Sequence, residues 1–162
     1  MKKKEEKTNA VRILEQQGLS FETHNYADSG AVSGVEVAAA LGQDPGRLYK
    51  TLVTVGKSGT HYVFLVPASG ELEPKKAARA VGEKSIQMVK GKELLPLTGY
   101  VHGGCSPVGM KKQFQTIIDQ SGQAHSSIFI SGGKIGHQIQ ISLDELAKAV
   151  PFRLADISQP AE

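Results

Sequence analysis

Two strand-like segments joined by a glycine turn limit the fold of this chain more than any other feature. Residues 48–55 read LYKTLVTV and residues 61–67 read HYVFLVP, both rich in the β-branched and aromatic side chains that strands favour. The intervening GKSGT at 56–60 contains two glycines and is short enough to reverse the chain directly. We therefore predict an antiparallel hairpin here. A regular parallel array of strand–helix–strand units does not contain such a pair.

Helix signals appear in six short segments. Ser33 and Glu36 have the spacing of a capping box, and Ser142 and Glu145 repeat it. Pro74 is suited to the first turn of another helix, which a glycine ends. The predicted helices cover about 8–17, 35–42, 74–82, 92–99, 110–122 and 143–150.

Two of these helix predictions rest on particular residues. Pro96 is expected to break the segment KELLPLTG, which is therefore a brief helix or a turn. In MKKQFQTIIDQSG, at 110–122, Phe114, Ile117 and Ile118 recur at helical spacing, which predicts that they face inward.

Strand patterns occur between the helices and predict the fold class. Beyond the hairpin, the expected strands are in LSFETHNY, SIQMV, the start of YVHGGCSPVG, both ends of HSSIFISGGKIGHQIQIS, and FRLADI. Several neighbours are joined by short turns. The pattern indicates a single α+β domain with a curved, mixed, barrel-like central β-sheet surrounded by short helices.

Composition excludes several classes of protein. The 162 residues are 40% hydrophobic and 22% charged, and no apolar run approaches the eighteen residues of a membrane span. The N-terminal MKKKEEKTNA has no apolar stretch behind it, so it is not a secretory signal. The single cysteine, Cys105, excludes an intramolecular disulfide and predicts a reducing, cytoplasmic setting. A net charge of +3 permits a nucleic-acid partner without requiring one.

Two glycine loops and one lysine are the candidates for a binding site. The loops VHGGCSPVG (101–109) and FISGGKIG (129–136) follow predicted strands, where glycine lets backbone amides approach an anion or an oxyanion. Neither has the spacing of a phosphate-binding Walker loop. Lys50 places an ammonium group on an otherwise apolar strand. The alternatives are two tight turns and a lysine whose amine reaches solvent.

The remaining chemical candidates are weaker. Cys105 follows His102 by three residues and is either a nucleophile or a small buried apolar residue. The five histidines lack paired-ligand spacing, so no metal site and no cofactor are predicted. Basic residues at 75–79 and at 111–112 are either a footprint for a phosphate backbone or a solvated face.

Five motifs together resemble a known family. In chain order they are the H-x-Y of residues 24–26, YKTLV, KKAA, TGYVHGGCSPVG and SGGKIG. This order is similar to that of the YbaK/EbsC family, free-standing relatives of the editing domain of bacterial prolyl-tRNA synthetase. The resemblance extends over about 8–157, which implies a flexible lead-in at 1–7, an editing domain at 8–157 and a C-terminal tail at 158–162. It implies an aminoacyl-tRNA deacylase that removes cysteine mischarged onto proline tRNA.

The resemblance also assigns roles to individual residues. It implies catalytic roles for Lys50, which matches the family's essential lysine, and for Gly103, the first glycine of the GG-x-SP loop. The residues implied to bind substrate are Tyr26, Thr51, Gly104, Ser106, Ser131 and Gly132. Ile135 departs from the pattern, because relatives often carry a basic residue after SGGK.

The family chemistry implies a reaction without a protein nucleophile. The thiol of a cysteinyl ester attacks its own carbonyl and leaves as a thiolactone, so the protein needs to fix the conformation and stabilise the oxyanion. The implied partner is the acceptor end of an aminoacylated tRNA, with prolyl-tRNA synthetase as a further expected partner. The alternatives are an Ala-tRNA(Pro) hydrolase that activates water, a non-catalytic module that binds a tRNA end or nucleotide, and a thiol enzyme using Cys105.

Overall fold

A computed structural model describes residues 7–161 of the protein. The described α-helices are α1 Asn9–Gln16, α2 Gly34–Ala40, α3 Pro74–Val81, α4 Gly91–Thr98 and α5 Leu143–Ala149. The strands are β1 Glu22–Asn25, β2 Tyr49–Gly56, β3 His61–Pro67, β4 Gly70–Leu72, β5 Ile86–Met88, β6 Gln115–Asp119, β7 Ile128–Ser131, β8 His137–Ile141, β9 Arg153–Ala155 and β10 Ser158–Pro160. Apart from Lys7, the lead-in predicted at 1–7 lies outside the described residues, as does Glu162.

Three sheets form the framework of the domain. The largest has the order β5-β2-β3-β6-β9, and it is mixed because β3 pairs in parallel with β6 and antiparallel with β2. An antiparallel sheet has the order β1-β8-β7, and β10 pairs with β4. The predicted mixed α+β architecture is therefore confirmed. The barrel-like closure is not, because no ladder among residues 7–161 joins the edge strands β5 and β9.

The main core lies between the two larger sheets, which an isolated bridge between Leu48 and Phe129 brings together. Its fully buried members include Tyr49, Leu65, Ile118, Ile130 and Ile139 from the sheets, together with Leu14 of α1 and Leu146 of α5. Burial of these apolar side chains is the main favourable term that holds the sheets together.

The predicted hairpin is confirmed. Strands β2 and β3 pair from Tyr49 with Pro67 to Val55 with His61, and the Gly56 amide closes the turn on the Thr60 carbonyl at 2.8 Å. This pair forms the centre of the largest sheet.

The local helix signals act largely as expected. At α2, Ser33 and Glu36 form both bonds of the capping box. At α3, Pro74 occupies the first turn and Gly82 ends the helix with a φ of 73°. The second box is only half formed, since the Glu145 carboxylate accepts a hydrogen bond from the distant Ser20 amide at 2.9 Å.

Three local predictions are wrong. Residues 110–122 do not form an α-helix, because Gln115–Asp119 is a strand between β3 and β9. Such a strand is covered on both faces, so neighbouring Ile117 and Ile118 are both buried and strict alternation is lost. Helix α4 continues through Pro96 to Thr98. The strand expected before the first glycine loop is an irregular segment.

The C-terminal segment contributes to the fold. Within the predicted tail, Ser158–Pro160 is strand β10, and the preceding Ile157 is fully buried. Over residues 7–161, no helix has the length and apolar character needed to cross a membrane. The same residues contain no grouping of three or more histidine, cysteine or acidic side chains arranged to hold a metal ion.

Candidate functional site

A cavity of about 510 Å³ lies along an open stretch of strand β2. Strand β5 pairs only with Thr54–Gly56, so among residues 7–161 the edge of β2 that faces away from β3 has no strand partner around Thr51. Residues 48–53 line the cavity. An unpaired strand edge inside a cavity offers backbone donors and acceptors to a ligand.

The direction of the β2 backbone shows which peptide groups face this cavity. The Leu48 carbonyl accepts from Ala68 at 2.7 Å on the β3 side, whereas the Val53 carbonyl accepts from Val89 at 3.1 Å on the opposite side. Alternate residues of a strand point the same way. The amide and carbonyl of Thr51 therefore point toward the open edge, as those of Val53 do.

The side chains of β2 divide the cavity into two sides. Leu48 belongs to a buried cluster that includes Tyr26, and Lys50 lies on the same face of the strand. Val53 belongs to the cluster that contains the single cysteine, and Thr51 lies on that face. The strand edge thus separates the side that carries Tyr26 and Lys50, which we call the polar side, from the side that carries Thr51 and Val53.

Lys50 is held at the wall of the cavity. Its ammonium group donates a hydrogen bond of 3.0 Å to the Gly70 carbonyl, and the residue is half-buried. An ammonium group has three donors, so two remain for a ligand. A Cβ atom at Gly34 would lie 2.9 Å from the Ala68 side chain and 3.6 Å from Cγ of Lys50, so the missing side chain leaves room for the lysine stem.

Tyr26 and Ser131 lie on the same polar side. Tyr26 is 8% exposed and follows β1, where its amide donates to the Gly136 carbonyl at 2.8 Å. Ser131 ends β7, and its hydroxyl oxygen accepts from the Gly133 amide at 3.2 Å. Both side chains line the cavity, and both are tied to the second glycine loop.

The two glycine loops contact each other beside the cavity. Gly103 lines it with a φ of 84°, and its amide has no acceptor among the described residues. The Gly104 amide is already bonded to the Val101 carbonyl at 3.0 Å. A Cβ atom at Gly104 would lie 3.0–3.2 Å from backbone atoms of Lys134 and Ile135, so a larger residue would push the two loops apart by a few tenths of an ångström.

Three of the predicted substrate-binding residues lie outside the cavity lining. They are Gly104, Ser106 and Gly132. Ser106 is fully buried and accepts a hydrogen bond from the Val108 amide at 3.2 Å. The Gly132 amide donates to the His137 carbonyl at 2.8 Å within the β7–β8 turn. These hydrogen bonds lie within the two glycine loops and stabilise their conformation.

Cys105 and His102 both line the cavity. Burial raises the pKa of the Cys105 thiol to about 11, although a hydrogen bond with Thr98 acts in the opposite direction. The thiol is therefore protonated at neutral pH, which removes the thiolate that a nucleophilic mechanism needs. Cys105 is 7% exposed and packs in the main core, as the alternative interpretation of a small buried residue predicts.

Two unpartnered polar atoms mark a feature that the sequence motifs did not reveal. The hydroxyl oxygen of Thr51 and the side-chain carbonyl oxygen of Gln138 are buried without a hydrogen-bond partner among residues 7–161, and both residues line the cavity. Thr51 was predicted from the resemblance, whereas Gln138 was not. Within the sequence, Gln138 looks the same as Gln140 two residues later on β8.

The basic clusters differ in what their side chains contact. Lys76 is bonded to the Asp156 carboxylate and to the Ser158 carbonyl, both at 3.0 Å, so it ties α3 to the C-terminal segment. Lys111 and Lys112 are exposed near the first glycine loop. The interpretation as a phosphate footprint is therefore weakened for Lys76 and stays a prediction for Lys75, Arg79, Lys111 and Lys112.

Sequence and structure comparisons identify the family of this chain. Residues 29–149 match the family described as "Aminoacyl-tRNA editing domain". The chain is 40% identical, over 97% of its length and 96% of the relative, to the Enterococcus faecalis protein named "Putative Cys-tRNA(Pro)/Cys-tRNA(Cys) deacylase EbsC". The chain belongs to the aminoacyl-tRNA editing domain family. This membership confirms the predicted enzyme class, an aminoacyl-tRNA deacylase.

Two further matches link the chain to prolyl-tRNA synthetase. A proline–tRNA ligase of Thermosipho melanesiensis is 32% identical over 67% of the chain, which spans only 19% of that ligase. The solved structure described as "a putative trans-editing enzyme for prolyl tRNA synthetase" superposes with a TM-score of 0.79 at 27% identity, covering 93% of this chain and 92% of that one. The predicted relationship to the synthetase editing domain is confirmed.

Proposed function

We propose that this editing domain removes cysteine from Cys-tRNA(Pro), and also from Cys-tRNA(Cys), as a free-standing deacylase. The observation that carries this proposal is that Lys50 and Gly103 line the same cavity, as does Cys105, whose raised pKa keeps its thiol protonated. Such a site can bind and polarise an ester, but it lacks an activated nucleophile of its own. A substrate that brings its own nucleophile fits this arrangement.

In the proposed reaction the thiol sulfur of the cysteinyl group attacks the carbonyl carbon of its own ester. A carbon–sulfur bond forms, the bond from that carbon to the ribose oxygen breaks, and the thiol proton passes to the departing ribose hydroxyl. The products are a four-membered cysteine thiolactone and deacylated tRNA. No water is consumed in this step, so the net deacylation is an elimination by ring closure.

Individual residues have distinct roles in this proposal. Lys50 donates hydrogen bonds to the ester and the terminal ribose, oriented by its existing bond to the Gly70 carbonyl. The Gly103 amide donates to the oxygen that becomes negative during attack, and the Thr51 amide on the open edge of β2 supplies a second donor. Tyr26 and Ser131 bound the polar side of the cavity.

The setting of the reaction follows from its substrate. Charged tRNA is made by synthetases in the cytoplasm, so we place the protein there. The likeness to a segment of proline–tRNA ligase supports prolyl-tRNA synthetase as a partner that presents the mischarged tRNA. A small cavity that holds the acylated end leaves selection of the tRNA body to that partner.

A deacylation panel tests this proposal. Cysteinyl, S-methylcysteinyl, alanyl and seryl esters are prepared on tRNA(Pro) and tRNA(Cys), and their decay is followed with and without the protein. We expect rapid loss of the cysteinyl esters only, with S-methylcysteinyl-tRNA stable because its sulfur cannot close the ring. Cleavage of S-methylcysteinyl-tRNA or Ala-tRNA(Pro) at the cysteinyl rate contradicts the ring-closure mechanism and favours activated water.

A further inference from the structure

The buried amide of Gln138 is an acceptor without a donor. Its side-chain carbonyl oxygen has no hydrogen-bond partner, although the residue is only 6% exposed. Leaving a buried polar atom unpaired destabilises the folded protein, so such an atom needs an explanation. Gln138 lines the cavity, so a ligand bound there lies beside this amide.

The position of Gln138 on its strand directs it to the polar side of the cavity. It pairs with Ser131 across the β7–β8 ladder, and residues opposite each other in an antiparallel pair share a face. Phe129, two residues before Ser131 on β7, belongs to the same buried cluster as Leu48 and Tyr26. Gln138 therefore lies on the face that also carries Lys50.

The atom itself defines the chemistry of the missing partner. A carbonyl oxygen only accepts hydrogen bonds, so the ligand group must be a donor. Two hydroxyl oxygens that line the cavity each already accept one hydrogen bond, Ser131 from the Gly133 amide and Ser33 from the Glu36 amide, whereas the Gln138 oxygen accepts none from residues 7–161. The lining contains neither aspartate nor glutamate, so a cationic donor has to rest on a neutral oxygen.

We propose that Gln138 binds the α-ammonium group of the aminoacyl ester. This inference rests on the proposed function for the identity of the ligand. An aminoacyl ester presents acceptors at its ester oxygens and a charged donor at its amine. Lys50 is a donor and matches the oxygens, whereas Gln138 is an acceptor and matches the amine. Holding both ends fixes the carbonyl relative to the attacking thiol.

Removal of the substrate amine provides the decisive test. Gln138→Leu and wild type are compared on Cys-tRNA(Pro) and on 3-mercaptopropionyl-tRNA(Pro), which keeps the thiol and the ester but has no amine. For Gln138→Leu we expect kcat/KM to fall about 10- to 100-fold on the cysteinyl ester, the effect of losing a hydrogen bond to a charged group. On the deamino ester we expect a change of less than about threefold.

Two control variants separate binding from folding. Gln138→Glu keeps an acceptor at both side-chain oxygens, and we expect it to retain discrimination in favour of the amine-bearing ester. Gln140→Leu changes the same residue type on the same strand, where the side chain is bonded to His24 and Ser127 outside the cavity lining. We expect Gln140→Leu to leave the ratio of the two kcat/KM values unchanged.

A binding measurement keeps this inference separate from the proposed function. The stable amide 3′-cysteinylamino-3′-deoxyadenosine and its 3-mercaptopropionyl counterpart are titrated by calorimetry into wild type and Gln138→Leu. We expect the variant to weaken only the amine-bearing analogue. If wild type deacylates neither ester but shows this pattern, the reaction is wrong and the amine site stands. Equal losses on both analogues, no loss, or no binding to wild type overturns the assignment of Gln138.

Discussion

The two halves of β2 each contain a buried threonine hydroxyl, and only one of these hydroxyls has a hydrogen-bond partner among residues 7–161. Near the turn, the Thr54 hydroxyl is fully buried and donates to the Tyr62 carbonyl at 3.0 Å. Three residues earlier, the Thr51 hydroxyl oxygen is buried beside the cavity and has no partner. The Thr51 amide and carbonyl also face an edge that no strand covers.

One carboxylate, that of Glu83, binds several polar groups at the turn end of the β2–β3 hairpin. Glu83 accepts hydrogen bonds from the Ser58 amide and hydroxyl and from the Tyr62 hydroxyl, at 2.5–3.1 Å. These bonds, with the Ser58 hydroxyl first, lower the pKa of Glu83. A Cβ atom at Gly56 would lie 2.3 Å from the Glu83 carboxyl carbon, so a larger residue would displace this carboxylate.

The polar groups at the turn end of β2 stabilise the fold, whereas we propose that those at the cavity bind a ligand. At the turn, each of these side chains finds its partner inside the protein. At the cavity, Thr51 and Gln138 keep buried oxygens unpaired, which lowers stability in the absence of a ligand. Functional sites often retain such local costs, and substitution there is expected to change activity and stability in opposite directions.

The largest effect is expected at Lys50. Lys50→Met keeps most of the stem beside Gly34 and removes the charge, and we expect kcat/KM on Cys-tRNA(Pro) to fall about 100- to 1,000-fold, as when a preorganised donor is lost. The matched control is Lys57→Met, an exposed lysine at the turn end of the same hairpin, which should retain wild-type kcat/KM. Wild-type kinetics for Lys50→Met would contradict its proposed role.

Thr51→Val should reduce activity without reducing stability. Valine has the shape of threonine and no hydroxyl, so it removes an unpaired buried oxygen, and we expect unchanged or higher stability in urea unfolding. If the hydroxyl bonds to substrate, kcat/KM should fall about 3- to 10-fold. A loss of stability together with unchanged kinetics would show that this hydroxyl has a structural partner.

Thr54→Val should give the reverse result. The same substitution here removes a hydrogen bond that exists in the folded protein, and we expect the free energy of unfolding to fall by about 1 kcal/mol. Deacylation kinetics of the folded protein should match those of wild type. The pair of variants is measured in the same urea series, and equal behaviour of both would remove the distinction between the two halves of β2.

Among the substitutions of cavity-lining residues, the smallest effect on activity is expected at Cys105. Cys105→Ala should change kcat/KM by less than about threefold, because the thiol is protonated at neutral pH and takes no part in the proposed reaction. A large loss with an intact fold would restore the thiol-enzyme alternative.

The ionisation of Cys105 can be measured by alkylation. Because burial raises its pKa from 9.0 to about 11, the thiolate fraction at pH 8 is about 100-fold below that of an ordinary thiol. The rate of modification by iodoacetamide should therefore keep rising as the pH increases from 9 toward 11. In urea the rate should instead be half-maximal near pH 9 and level off by about pH 10, and the same profile in the folded protein would contradict the raised pKa.

Local signals in the sequence predicted much of the framework because they act over a few residues. The capping box of Ser33 and Glu36 and the stop at Gly82 need only neighbouring backbone groups. The strand Gln115–Asp119 was mistaken for a helix because its burial on both faces depends on β3 and β9, which are distant in sequence. Local periodicity carries no information about such neighbours.

In the site, too, some residues could be predicted from the sequence and others only from the fold. Motif resemblance indicated Lys50, Tyr26, Thr51, Gly103 and Ser131, and the fold brings all five to one cavity. It also indicated Gly104, Ser106 and Gly132, whose atoms support the loops from outside the cavity lining. Gln138 and Gln140 on β8 have the same side chain, and only their surroundings in the fold distinguish them.

The sequence by itself determined the family, the central hairpin and the lysine placed on it, since these depend on residue types and short spacings. The tertiary structure alone decided that β5 stops short of residue 53, so that part of β2 faces a cavity. It also decided which polar atoms stay unpaired there. Hydrogen-bond satisfaction depends on all groups within about 3 Å in space, and most of those groups come from distant parts of the chain.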